Sequence, residues 1–329
     1  MQVYNTAFDN AAKFDEQGFK DGKYVRNLPA NFPNLFDANG KPKYNTDWEK
    51  EIYKPTWAQN HELAVRGGGE KSAYSISVGY TDQGGLMRNS NLTRYSAKLT
   101  LDNDATKWLK VGGSIFVNKA VIQEVDGSSG GLNVPRMVFE AIPILPIKYP
   151  DGSWGRNKDW PGMEGGENPV RIADQRTQTN PRTEILGSLY SNIKFTPDLS
   201  LRTNYSYELR FDKNNFYSGR DLNALSADQK GSASISANHE FYWQFENYFN
   251  YNKTIAGDHN ISALLGLSWQ KRSWENFGVT AQNFIDDFWG WHNIIVGNTL
   301  VKPNSSDQEW SLNSYFGRLN YSFKDRYLV

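Results

Sequence analysis

Trp154, Trp160, Trp289 and Trp291, with Tyr149, Phe284 and Phe288 beside them, stand in stretches of the chain that keep no sustained period. Aromatic faces stack on sugar rings and on apolar groups. Such residues in loops either line a chamber for a ligand or pack on one another or on a partner. Other chemistry is sparse. His61, His239, His259 and His292 never pair at metal-ligand spacing, and His61-Glu62 opens no HExxH. Gly67-Gly68-Gly69 follows one strand-like run and precedes another, so it reads as a turn and not as a phosphate cradle. Asp102-Asn103-Asp104 has the composition of a tight turn. Asp286-Asp287 and Glu164/Glu167 fall in long loops, as solvated charges first, then as metal ligands or substrate contacts. Cysteine is absent, and so are a nucleophile elbow and a P-loop. No catalytic residue, metal site or cofactor is assigned, and the chain reads as a non-enzyme.

The elements that must position these residues are strands. Tyr74, Ile76, Val78 and Tyr80 alternate with Ser75, Ser77 and Gly79. Tyr95, Ala97, Leu99 and Leu101 alternate with Arg94, Ser96, Lys98 and Thr100. Leu199, Leu201, Thr203, Tyr205, Tyr207, Leu209 and Phe211 alternate with Ser200, Arg202, Asn204, Ser206, Glu208 and Arg210. Successive side chains on a strand point to opposite faces, so each run has one apolar and one wet face. The runs last about 11 to 13 residues, roughly twice an ordinary strand. Strands of that length suit a wall between lipid and water. An aromatic content of 14% favours strands over helices. Mean hydropathy is −0.68, and no apolar run of about 18 residues exists for a transmembrane helix. That value is compatible with a membrane barrel, because half of each barrel strand is polar. Lys plus Arg equals Asp plus Glu at 36 each, so the basic footprint of a nucleic-acid binder is missing.

Residues 1–58 carry Pro29, Pro33, Pro42 and Pro55 and read as loop, apart from a short helix around Tyr4 to Phe14. Strands are expected near 59–67, 72–82, 92–102, 108–119, 184–195, 198–211, 236–252, 258–272 and 310–323, with another starting at Arg326. Their connections alternate short and long without a slip. Short ones are 67–71, 103–107, 196–197, 253–257 and 324–325. Long ones are 83–91, 120–183, 212–235 and 273–309. An up-and-down sheet then carries all tight turns at one end and all long loops at the other, as outer-membrane barrels do. Phe195, Tyr251, Tyr321 and Phe323 lie on the apolar parity beside tight turns, where an interfacial aromatic girdle would sit.

Particular stretches resemble the SusC/RagA-like TonB-dependent outer-membrane transporters. They are Gly67 to Gly85, Arg94 to Asp102, Trp108-Leu109-Lys110-Val111-Gly112, Pro146 to Gly152, Asn168-Pro169-Val170 and Ser314 to Tyr327. The resemblance spans nearly the whole chain. It implies an all-β fold: an antiparallel up-and-down transmembrane barrel fragment, about ten strands of a larger plugged barrel. It implies residues 1–58 as an extracellular loop region and 59–329 as partial barrel, the first half, with plug, TonB box and signal peptide not seen. Such a piece, lacking the coupling segments, is expected to be inactive by itself and to end on an unpaired edge strand. The implied partners are a SusD-like surface lipoprotein, the TonB complex, membrane lipid and a glycan or peptide substrate. The implied location is the outer membrane of Bacteroidetes-type cells. Tyr74, Ile76, Val78, Leu99, Leu101, Val111, Ile115, Val117, Leu201 and Leu265 would face lipid. Arg94, Lys98, Lys110, Lys194, Arg202, Glu208, Arg210, Glu246 and Arg318 would face the lumen. Trp154, Trp160, Trp289 and Trp291 would meet the substrate or the lipoprotein. A passive porin-type barrel and a soluble β-sandwich binding module are the rival readings.

Overall fold

The structure is a computed structural model that describes residues 2–20, 29, 32–125, 132–156, 159, 167–220, 222, 230–324 and 326–328. Ten strands form one antiparallel sheet in sequence order. They are β1 (Ala58–Gly68), β2 (Ser72–Gly84), β3 (Asn91–Asn103), β4 (Leu109–Glu124), β5 (Arg176–Lys194), β6 (Leu199–Ser218), β7 (Ser232–Ile255), β8 (His259–Phe284), β9 (Gly297–Phe323) and the two-residue β10 (Tyr327–Leu328). Each strand pairs only with its neighbours in sequence, which is the up-and-down order expected.

Ladder register joins the apolar parities of separate strands into one surface. Val65 faces Ile76, Ile76 faces Leu99 and Leu99 faces Ile115. Further on, Leu189 faces Tyr205, Tyr205 faces Phe245 and Phe249 faces Leu265. This surface is apolar yet open: Leu63 is 74% exposed, Val78 49%, Leu189 61% and Leu265 65%. Large apolar side chains left uncovered in a continuous band need a non-aqueous neighbour, and hydrocarbon is the one that a wall of this length meets. The other parity carries Arg94, Lys98, Lys110, Arg202, Glu208, Glu246 and Arg318. All nine expected lumen residues fall on it, and all ten expected lipid residues fall on the apolar face.

The turn end of the apolar face is ringed by aromatics. Phe195 stacks near Phe249 with centroids 6.4 Å apart, and Tyr321 and Phe323 flank His259 at 5.9 and 4.8 Å. Rings with a polar edge settle at the boundary between hydrocarbon and headgroups.

The strands outrun expectation at the loop end. β5 begins at Arg176 rather than 184, β8 runs to Phe284 rather than 272, and β9 opens at Gly297 rather than 310. Above the band both faces meet water, so stretches such as Asn304-Ser305-Ser306-Asp307-Gln308-Glu309 lose the apolar alternation that marks a strand. The expected loop regions also hold helices: α1 (Gln2–Phe14), the short α2 (Glu16–Lys20), α3 (Trp48–Ile52), α4 (Val134–Glu140) and α5 (Pro169–Gln175). Only α1 was anticipated.

Candidate binding surface at the loop end

Among the described residues the larger dry core lies beside the strand tops, not between sheet faces. Leu35, Phe36, Trp48 and Ile52 from the N-terminal segment pack with Val134, Met137, Leu145, Val170 and Ile172 from the 125–175 connection. Hydrogen bonds knit the two segments together. The Thr46 amide donates to the Pro143 carbonyl at 2.7 Å, the Thr46 hydroxyl to Leu145 at 2.6 Å, and the Trp48 indole to Ile142 at 3.1 Å. The β2–β3 connection joins them: the Arg88 amide donates to Ile52, and its guanidinium binds Asp174 at 2.6 and 3.1 Å. That bond to Asp174 raises the Arg88 pKa above its ordinary value.

Local sequence explains α4 and α5. Asn133 and Asn168 cap them, Asn133 accepting the Arg136 amide and Asn168 those of Val170 and Arg171, and each helix has proline in its opening positions. Asn supplies an acceptor for orphan amides, and proline has no N–H to leave unpaired. Asn168 also donates from Nδ2 to the Gly155 carbonyl at 2.9 Å, tying the loop to the helix start.

Among the acidic loop residues Glu167 is buried, whereas Asp286 and Asp287 are exposed as solvated charges are expected to be. Glu167 is 4% exposed and accepts from Arg171 at 2.9 Å and Arg156 at 3.1 Å. Two cations compensate the carboxylate that burial would otherwise penalise. Asp287 accepts from the Tyr217 hydroxyl at 2.7 Å and the Arg220 amide at 2.9 Å. Asp286 accepts the Phe288 amide at 3.0 Å. Only Glu167 departs from the solvated charge expected, because its loop folds onto a core. Glu164 lies outside the described residues.

Among the described residues, Trp154 lies apart from Trp289 and Trp291. Trp154 is half-buried against the loop core, with the Lys148 ammonium 4.3 Å from its ring centre. It borders a cavity of about 700 Å³ shared with Tyr44, Tyr149, Lys43 and Arg156. There the Tyr149 hydroxyl donates to Asp159 at 3.1 Å. Burial first, and Asp159 second, push its pKa up, so the phenol stays a neutral donor. Trp291 instead packs on a second small core of Tyr217, Ala233, Ala281 and Phe284. Trp289 beside it is 46% exposed. Trp160 lies outside the described residues. Surfaces of mixed aromatic and polar groups bind or dock, and nothing in these contacts arranges a nucleophile with a base.

The chain is 29% identical over 289 residues to the TonB-dependent receptor P3 of Formosa agariphila, a match covering 86% of this chain and 28% of that protein. It is 22% identical over 312 residues to the TonB-dependent receptor SusC of Bacteroides thetaiotaomicron, covering 86% and 29%. The chain thus spans less than a third of the curated relatives it matches. No family model matches. Its fold superimposes on a structure of the RagAB peptide transporter with a TM-score of 0.72 and 20% identity, over 99% of this chain and 35% of that one. In sequence and in fold the chain is SusC/RagA-like, with the strands and lipid-facing band of a TonB-dependent outer-membrane transporter barrel.

Proposed function

We propose that this chain supplies wall and external loops to an importer that takes a glycan or peptide across the outer membrane, capped by a SusD-like lipoprotein and driven through TonB. The carrying observation is the pairing of one exposed apolar face with a folded loop cluster at a single end of the same sheet. The apolar band sits in hydrocarbon, and residues 1–58 with the long connections form the outer crown. The charged parity lines the path. Trp154 and Trp160 meet the substrate or the lipoprotein, and Trp289 and Trp291 contribute to that surface only where a partner reaches round the rim.

Uptake measured with the full-length protein in its own cells tests this reading. Import should stop when the proton-motive force is collapsed and when the lipoprotein gene is removed. Uptake that survives both treatments and follows the external concentration would establish the passive porin instead. Replacing all four tryptophans by alanine should impair uptake or lipoprotein binding, and no change in either rejects the tryptophan assignment.

A further inference from the structure

A cleft of about 370 Å³ sits between the strand tops and the 285–296 connection. Gln123, Thr177, Thr179 and Tyr217 rise from β4, β5 and β6 to line it, and Asp287, Trp289 and Trp291 close it from the loop. The four strand residues all have the parity of the lipid-facing band: register runs without a slip from Val117↔Ile185 to Gln123↔Thr179, and from Leu201↔Phe249 to Tyr217↔Ala233. The cleft therefore opens on the outside of the wall and not on the lumen.

Its height is set by the same ladders. Lys119, Thr183, Phe211, His239, Glu275 and Asp307 are successive partners in one row across six strands. In that row polar and charged residues replace most of the apolar ones, and the next row outward, where Val121, Ala237 and Phe277 still stand, closes the hydrocarbon band. Gln123 and Tyr217 stand two and four residues above Val121 and Lys213 along their strands. With a strand rise of about 3.3 Å and a tilt of about 40°, that is roughly 5–10 Å beyond the band. On the loop side of an outer membrane this layer holds the sugars of lipopolysaccharide.

The lining matches a sugar. Trp289 stands perpendicular to Phe288 at 5.1 Å and is 46% exposed, whereas Trp291 is stacked on His292 at 3.8 Å. The Gln123 and Thr177 side chains have no hydrogen-bond partner among the described residues. Among the described lining residues there is no Lys or Arg, and the Arg88 guanidinium nearby is taken up by Asp174, so the cleft offers a neutral polyol an aromatic platform with amide, hydroxyl and carboxylate partners. The Tyr217–Asp287 hydrogen bond holds the loop side of the cleft in place. We propose that this outer cleft binds a core saccharide of the surrounding lipopolysaccharide. The inference rests on the barrel orientation given under Proposed function, but not on import.

The test uses purified full-length protein and the core oligosaccharide released from the host's own lipopolysaccharide by mild acid, titrated by calorimetry. Saturable binding is expected, weakened at least tenfold by Trp289→Ala and by Gln123→Ala and unchanged by the lumen-parity variant Arg202→Ala. Heat-modifiable migration of each variant checks that it has folded. Absence of saturable binding, equal binding by all variants, or loss with Arg202→Ala alone overturns the proposal. So does binding of a mixed peptide digest at the same cleft in place of the oligosaccharide. Nutrient uptake assayed in parallel should be untouched by Gln123→Ala. A failure of import with oligosaccharide binding intact counts against the importer and leaves the cleft standing.

Discussion

Val78 is 49% exposed on the apolar parity and faces Leu63 and Ala97 across its two ladders. Ser77, one residue away, points to the opposite face, between Ala64 and Lys98. A one-residue step along a strand therefore changes the solvent a side chain meets. Val78→Arg places a charge in hydrocarbon at a cost of about 2–4 kcal/mol near the midplane. In the full-length protein it should sharply lower the fraction that assembles into the outer membrane, read by heat-modifiable migration of membrane fractions. Ser77→Arg should assemble far better, and Ser77→Glu is the cleaner control, because Lys98 opposite would repel an arginine and attract a carboxylate. Equal loss from Val78→Arg and Ser77→Glu would show that the two parities share one solvent.

Between strands, close packing uses glycine. Gly187 lies on the apolar parity opposite Tyr207, whose ring covers it so closely that an added Cβ would overlap ring atoms. Phe316 covers Gly266 in the same way on the other parity. A cross-strand ring over a glycine replaces the contacts that the missing side chain cannot make. Gly187→Ala should destabilise the full-length barrel by about 1–3 kcal/mol, the ordinary range for overpacking. Tyr207→Leu in the same chain should recover part of the loss in urea titrations in lipid vesicles, and no recovery would mean that the ring is not what the methyl strikes. Such pairs were not legible in advance, because they depend on register between strands, whereas the strands themselves were. Lower strand ends fell within a few residues of expectation, since the band imposes strict alternation there. Upper ends were missed by up to 13 residues at β9, which opens at Gly297 where 310 was expected, because polar side chains on both faces leave no period to read. The Asn-Val-Pro and Asn-Pro starts of α4 and α5 were readable cap signals that the search for alternation passed over. The separation of Trp154 from Trp289 and Trp291 was not legible for a different reason. Shared composition said nothing about which face of the wall each loop would fold against, and parity at β5 to β8 sends the 285–296 connection outward.

At the scale of the whole chain, sidedness is the decisive property. The connections at one end are short, such as Gly69 to Lys71 or Ala256 to Asp258, whereas at the other end the described parts of the 125–175 and 285–296 connections pack on apolar cores. The apolar loop core, with Trp48, Met137 and Ile172 fully dry, forms only at the long end. These 329 residues contain no cysteine, so a single cysteine introduced among them is read against the unsubstituted full-length protein. Phe288 is 82% exposed in the long 285–296 connection, and Glu70 is exposed in the first tight turn. In intact cells expressing the full-length protein, Phe288→Cys should react with a membrane-impermeant maleimide. Glu70→Cys should remain unlabelled until the outer membrane is permeabilised. Labelling of Glu70→Cys from outside would invert the barrel and place the loop core in the periplasm. The cleft beside Trp289 would then face phospholipid headgroups with no sugar within reach, so this one measurement also bears on what surrounds the wall.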